Sequence, residues 1–453
     1  MSRKIENKGE VFAWSMYDFA NQPFTNLVVT FIYGTFFTTV IASNEIVGTQ
    51  QWSYAISITA IIVALSSPLM GALADRGGYR KMFMLGFTWL TIIATTALYF
   101  VMPGEVLRAL FWFVIANVGF EMGSVFCNAY LPDISHSKNI GRISGYGWSL
   151  GYVGGLIALA LAMVFLVQTD TPIFGFGKGE AGGYENIRAT NLLVAVWFAV
   201  FSIPTFLFVK DRKPETKALL KNVKHTVKDF RTTIKDLKEY PQIVRFLLAR
   251  LVYNDGLVTI FAFGGIYAAG SLDFTLDEII ILGIVLNITA GLGALLMGYL
   301  DDKVGGRTTI KVRLIGLMID VVLAVYAPQL RPWLQYVLGG SSVPDWITGK
   351  NIFWLAAVII GIFSGPNQAA SRSLMGRFTP EAKKNEFFGF FAFSGKVTAF
   401  AGPFLLGVLT VAFESQRVGV AVTFFFFLIG FLLLHKVDEE KGMKQGGYIS
   451  ESN

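Results

Sequence analysis

Apolar runs of about twenty residues, each long enough at 1.5 Å per residue to cross a bilayer, recur twelve times along this chain, beginning near residues 12, 51, 82, 108, 142, 189, 243, 277, 310, 352, 386 and 416. In hydrocarbon every backbone N–H and C=O must be satisfied internally, so runs of this length leave the helix as the available shape. Composition agrees. Of 453 residues 53% are hydrophobic and 15% charged, 41 are Phe, and the mean hydropathy is +0.55, far from an ordinary soluble protein. The expectation is an all-α membrane protein with twelve transmembrane helices.

Several classes are excluded by what the chain lacks. Cys127 is the single cysteine, so no intramolecular disulfide forms, and the three histidines are scattered rather than spaced as metal ligands. No Gly-rich loop ends in Lys-Ser or Lys-Thr, which argues against a built-in ATPase; GFGKGEAGG at 175–183 reads as a flexible outer loop. No enzyme chemistry, cofactor or metal is expected. The polar start MSRKIENKGE leads into a span with no small-residue cleavage site, so the first helix is expected to be retained. The net charge of +7 does not point to nucleic acid. Eleven Lys and Arg lie between Lys210 and Arg245 alone, and placing that segment inside fits the positive-inside pattern, with both termini cytoplasmic in an inner or plasma membrane.

The stretch from Lys210 to Tyr240 divides the spans six and six. Val223, Val227, Phe230, Ile234 and Leu237 recur at helical steps, with Lys221, Lys224, Lys228 and Lys235 off that stripe, so a basic amphipathic linker resting on the inner leaflet is expected over 210–240. It separates an N-terminal half, 1–209, from a C-terminal half, 241–437, followed by a tail, 438–453. The halves echo each other. MGALADRGGYRK (70–81) is answered by MGYLDDKVGGR (297–307). This matches Gly71, Asp75, Arg76 and Arg80 with Gly298, Asp302 and Arg307 as a latch whose carboxylates cap a helix N-terminus or pair with Arg. GYGWSLGYV from Gly145 recurs loosely as GFFAFSGKV from Gly389. Two parallel six-helix repeats follow.

These features resemble the major facilitator superfamily. YDFAN (17–21), SGYGWSLGYVGG (144–155), RLVYNDG (250–256), QAASRS (368–373) and EFFGFFAFSGK (386–396) narrow the resemblance to the autophagy-related vacuolar amino-acid effluxers and their bacterial relatives. What it implies is alternating access, with the first, fourth, seventh and tenth helices lining a cavity. Amino-acid efflux is the activity associated with the fungal members. After YDFAN the chain departs from the family with Gln22 and Pro23, and Pro23 is expected to bend the first helix.

Charged side chains inside hydrocarbon cost roughly 2.5–3.5 kcal/mol each on insertion scales, so those in the spans need a reason. Asp18, Glu121, Arg250, Asp255, Asp320, Arg372 and Lys396 are four acids against three bases. Asn117, Glu121, Ser124 and Asn128 form a stripe on the fourth span; Asp18 and Asn21 share a face of the first, Arg250 and Asn254 of the seventh, Gln368 and Arg372 of the tenth. A ligand or proton site built from these residues is the functional reading, and interhelical pairs holding a bundle together are the plain one. Glu121 is the candidate proton carrier, and Arg250 and Lys396 suit an anionic group. Asp18 and Arg372 read equally as gate residues, Asp255 equally as the partner of a local helix irregularity, and Asp320 falls on a helix the resemblance makes peripheral. The expected function is secondary transport of a small polar or zwitterionic solute by a monomer in the bilayer, possible proton coupling included. Lipid translocation and non-transporting sensing are the alternatives.

Overall fold

The computed structural model describes residues 7–211, 237–337 and 343–447. The linker expected over 210–240 lies outside the described residues across 212–236. The described chain is helical. We number α1 Lys8–Ile41, α2 Glu45–Gly77, α3 Arg80–Tyr99, α4 Val106–Asn128, α5 Ile140–Ala162 and α6 Glu185–Phe208. After the linker come α7 Pro241–Leu272, α8 Leu276–Val304, α9 Gly306–Val337 and α10 Gly349–Phe378. The eleventh helix is broken into α11a, Lys384–Ser394, and α11b, Ala401–Ala412. The last two are α12 Gln416–His435 and the short α13 Glu439–Gln445.

Ten of these helices are long and apolar enough to cross a membrane. The remaining two of the twelve expected spans depart in instructive ways. α9 is long but carries Arg313, Asp320 and Arg331, and α11 is interrupted over 395–400, so neither half reaches a spanning length by itself. Pro23 closes the α-helical part of α1, and the chain continues as π-helical turns over Phe24–Phe31. This is the local widening expected where proline removes a donor.

The chain forms two compact units. Unit 1 holds the described residues of Met1–His136, Tyr146–Lys235 and Thr379–Phe393; unit 2 holds those of Ser137–Gly145, Asp236–Phe378 and Ser394–Asn453. In unit 1 the extensive packing is α1 on α6, α2 on α4, α3 on α4 and α3 on α6. Unit 2 repeats each pair six helices later: α7 on α12, α8 on α10, α9 on α10 and α9 on α12. One six-helix plan is therefore used twice, which makes this the twelve-helix major facilitator fold.

The core of unit 1 is aromatic. Trp14, Tyr17, Phe24, Tyr33, Phe37 and Phe113 are fully buried, and Trp52 lies over Phe113 with ring centroids 3.9 Å apart. Buried polar tips in this core find partners. The Tyr17 hydroxyl and Thr88 Oγ1 share a 2.8 Å hydrogen bond, and Trp14 Nε1 donates to the Cys127 carbonyl at 2.8 Å. In unit 2 a second apolar cluster joins Tyr267, Phe274 and Phe353 to Ala324, Ala356 and Ala357. The two sequence echoes at Gly145 and Gly389 are packing echoes as well: a methyl group on Gly145 would meet the Ala294 carbonyl of α8 at 2.5 Å, and one on Gly389 the Ser67 carbonyl of α2 at 2.4 Å.

Candidate functional site

The interruption of α11 organises the polar residues of unit 2. Residues 395–400 are not helical, so their backbone groups lack an intrahelical ladder and need other partners. α7 supplies them. Asn254 Nδ2 donates to the Gly395 carbonyl at 3.0 Å, Arg250 Nη1 donates to Ser394 Oγ at 2.9 Å, and Asp255 Oδ1 accepts from Thr398 Oγ1 at 3.2 Å. From α10, Gln368 Nε2 reaches Asn254 Oδ1 at 3.4 Å. Lys396 belongs to the break and is half-buried, while Arg250, Asn254 and Asp255 are buried. Gly395 lets the Arg250 guanidinium lie close to the break: a Cβ at that position would stand 2.6 Å from Arg250 Nη1 and displace it. One turn of α7, one residue of α10 and the α11 break thus form a single polar knot inside apolar helices.

Arg372 is not part of that knot. Its guanidinium turns to the first turns of α5, donating to Ser144 Oγ at 2.9 Å and to the Ser144 carbonyl at 2.7 Å. In unit 1, Asn21 and Asn117 are buried, and Asp18, Glu121 and Asn128 are half-buried. They are carried by α1 and α4, which touch each other. Asp18 faces α5, where a Cβ on Gly151 would come within 3.5 Å of its own Cβ.

The two loops singled out as a latch make the same kind of contact. Asp75 accepts from the backbone N–H of Asn385 (3.1 Å) and of Glu386 (2.8 Å) and from Asn385 Nδ2 (2.7 Å), capping the N-terminus of α11a. Asp302 accepts from the backbone N–H of Gly141 (2.8 Å) and Arg142 (3.3 Å), capping α5. A carboxylate at a helix N-terminus satisfies orphan N–H groups and meets the positive end of the helix dipole. Gly71 allows the first contact, since a Cβ there would lie 2.2 Å from the Asn385 carbonyl oxygen, and Gly298 allows the second at 3.0 Å from Arg142 Cα.

The surrounding ion pairs differ. Arg80 binds Asp133 at 2.7 Å, approaches Asp211 at 3.6 Å and lies 3.6 Å over the Tyr130 ring, and Lys384 also pairs with Asp133. Arg307, its counterpart in sequence, donates instead to the His435 carbonyl at 2.8 Å. The buried guanidinium beside the unit 2 loop is Arg377, which binds Asp301 at 2.8 Å and reaches Asp302 at 3.7 Å and Glu439 at 3.5 Å. Glu439 caps α9 through the N–H groups of Gly306 and Arg307, both at 2.9 Å, as Asp211 caps α3 through Lys81 N–H at 3.0 Å. Next to Glu439, the Lys441 N–H holds the Asp438 carboxyl below the usual carboxylate range. Asp133, Asp211, Asp301, Arg377 and Glu439 were not singled out from sequence. The Asp-Asp pair 301–302 and the acids just past the last helix of each half were the available signals.

A transporter of the major facilitator type is the class this fold defines. Solved structures with it include a bacterial homologue of the iron transporter ferroportin in the outward-facing state (TM-score 0.67, 13% identical, covering 96% of this chain and 99% of that one). Another is the Escherichia coli fucose:proton symporter FucP (TM-score 0.68, 10% identical, 95% and 98%). Among curated relatives, the uncharacterized MFS-type transporter YxiO of Bacillus subtilis is 26% identical over 436 residues, 94% of each chain. Autophagy-related protein 22 of Yarrowia lipolytica is 21% identical over 475 residues, covering 88% of this chain and 77% of that one. The model described as vacuole effluxer Atg22 like matches residues 41–447, and the chain belongs to that family.

Proposed function

We propose that this membrane transporter moves a small zwitterionic, amino-acid-like solute by alternating access of its two six-helix halves, coupled to protons. The observation that carries the reading is the knot at the α11 break, where Asn254 holds the unwound Gly395 carbonyl, Arg250 binds the Ser394 side chain at the edge of the break and Gln368 reaches Asn254, beside Lys396. Interrupted helices suit solute sites because they free backbone dipoles in the bilayer without exposing them to lipid. A guanidinium and an ammonium favour a ligand carboxylate. Asp255 is the acid beside the knot available for a ligand amine; in unit 1, Glu121 is the candidate for a transferred proton and Asp18 a gate residue. The capping carboxylates Asp75 and Asp302, with Asp301, Arg80, Arg377 and Glu439, would stabilise one state of the cycle, and the solute would shift the balance by binding the states unequally.

The test is counterflow of labelled neutral amino acids in proteoliposomes holding the full chain. The parent protein is expected to exchange at least one of them saturably, and Arg250→Ala to lower its apparent affinity roughly tenfold or more, the loss of a charge-assisted hydrogen bond of about 1.5–3 kcal/mol. Movement of labelled lipid with no amino-acid exchange would overturn the reading. For coupling, Glu121→Gln is expected to abolish uptake driven by an imposed pH gradient while leaving exchange intact; uptake equal to the parent's removes Glu121 from the carrier role.

A further inference from the structure

Asp320 is the one acid of the spans that the proposed solute site does not use, and its setting is unlike the others. It lies on α9, is 3% exposed, and its Oδ1 has no hydrogen-bond partner. No Lys, Arg or His pairs with either of its oxygens among the described residues. It lines a cavity of about 90 Å³ within unit 2, room for roughly six waters, bounded by α7, α8, α9, α10, α11b and α12. Apart from Asp320, Thr259 and Thr423 the wall is apolar and aromatic, with Phe263 and Tyr267 on one side and Phe353 and Ala357 on another.

None of the charged and titratable groups nearby pairs with Asp320 among the described residues. The Tyr267 hydroxyl donates to the Ala324 carbonyl at 3.0 Å and Arg417 Nε to the Val325 carbonyl at 2.9 Å. Arg313 shares Asp320's face of α9 but lies seven residues away, about 10.5 Å of helix rise; its Nη1 donates to the Pro366 carbonyl, while its Nε and Nη2 are buried without a hydrogen-bond partner. α8, α10 and α11b present no titratable side chain to the cavity. An isolated carboxylate in such surroundings is costly, and a site that keeps one has a use for it.

We infer that this cavity binds a primary ammonium group carried on a short apolar body, with Asp320 as its counter-anion. The aromatic rings of Tyr267 and Phe353 suit the cation's methylene flank and its charge. A bare metal ion is disfavoured by the donor set. Hard cations take six or more oxygens, whereas the side chains of the wall offer only the Asp320 carboxylate and the hydroxyls of Thr259, Thr423 and Tyr267. The site lies wholly within unit 2 and does not depend on the transport reading; failure of amino-acid exchange would leave it untouched.

The experiment is equilibrium binding of n-pentylammonium and of 1-pentanol to the full chain in nanodiscs, followed by calorimetry and by thermal unfolding. Pentylammonium is expected to bind saturably and raise the unfolding temperature, with pentanol at least tenfold weaker. Asp320→Asn is expected to weaken pentylammonium at least tenfold, Asp320→Glu to restore part of the affinity, and unliganded Asp320→Asn to unfold no earlier than the parent. Equal binding of the two probes to the parent protein, or equal binding of pentylammonium to parent and Asp320→Asn, would overturn the assignment. The comparison of probes on the parent protein decides the matter even if a variant fails to fold.

Discussion

The α2–α3 and α8–α9 loops show how far one plan can be copied before its details diverge. Both place a carboxylate, Asp75 or Asp302, on the N-terminus of a helix from the other half of the sequence, over a glycine that lets the backbones meet. Both place an acid from just past the last long helix of their half, Asp211 after α6 or Glu439 after α12, on the N-terminus of the helix that follows the loop. Yet the buried guanidinium is Arg80 on α3 in one loop and Arg377 at the end of α10 in the other. Helix capping depends on backbone N–H groups, which every helix offers in the same geometry, so it survives duplication. Side-chain pairing needs only that opposite charges meet in the same space, and different chain positions can supply them.

That contrast can be broken or sharpened by substitution, reading thermal and denaturant unfolding of purified protein. Arg377→Ala is expected to have the largest effect, about 3–5 kcal/mol, because Asp301 would be left buried without a cation. Arg80→Ala should cost distinctly less, since Asp133 keeps Lys384; equal losses would mean that the two pairings are energetically interchangeable. Gly71→Ala, which forces a methyl into the Asn385 carbonyl, should cost about 1–3 kcal/mol, and Gly298→Ala less, in line with the looser 3.0 Å approach. Next, Asp75→Ala and Asp302→Ala should each cost about 0.5–2 kcal/mol as lost caps, Asp75 the more because it accepts three hydrogen bonds against two. Smallest of all, Arg307→Ala should cost about 0.5–1.5 kcal/mol, one hydrogen bond to a carbonyl. A loss as large as that for Arg80→Ala would show that the sequence counterpart is the functional one after all.

The candidate solute site divides along similar lines. Arg250, Asn254 and Gln368 stand out in sequence because polar groups at helical spacing are conspicuous in an apolar run, and in the structure they touch one another or the same short segment. Their partners Ser394, Gly395 and Thr398 do not stand out, because small residues are ordinary in membrane helices. The break in α11 was equally hidden. EFFGFFAFSGKVTAF reads as one continuous span, whereas in the structure the helix ends at Ser394, where side chains of α7 meet it. Asp320 falls on a helix that the resemblance makes peripheral, and its cavity, lined from five other helical segments, is visible only in three dimensions.

The sequence by itself determined the helical class, the number of spans, the division into two repeats and the membership of a transporter family, because hydrophobic length and periodicity act locally and repeat along the chain. Tertiary structure decided which carboxylate meets which cation, where a helix opens and which buried acid faces empty space. Those outcomes depend on groups hundreds of residues apart sharing a low-dielectric interior, where a displacement of a single turn exchanges one partner for another.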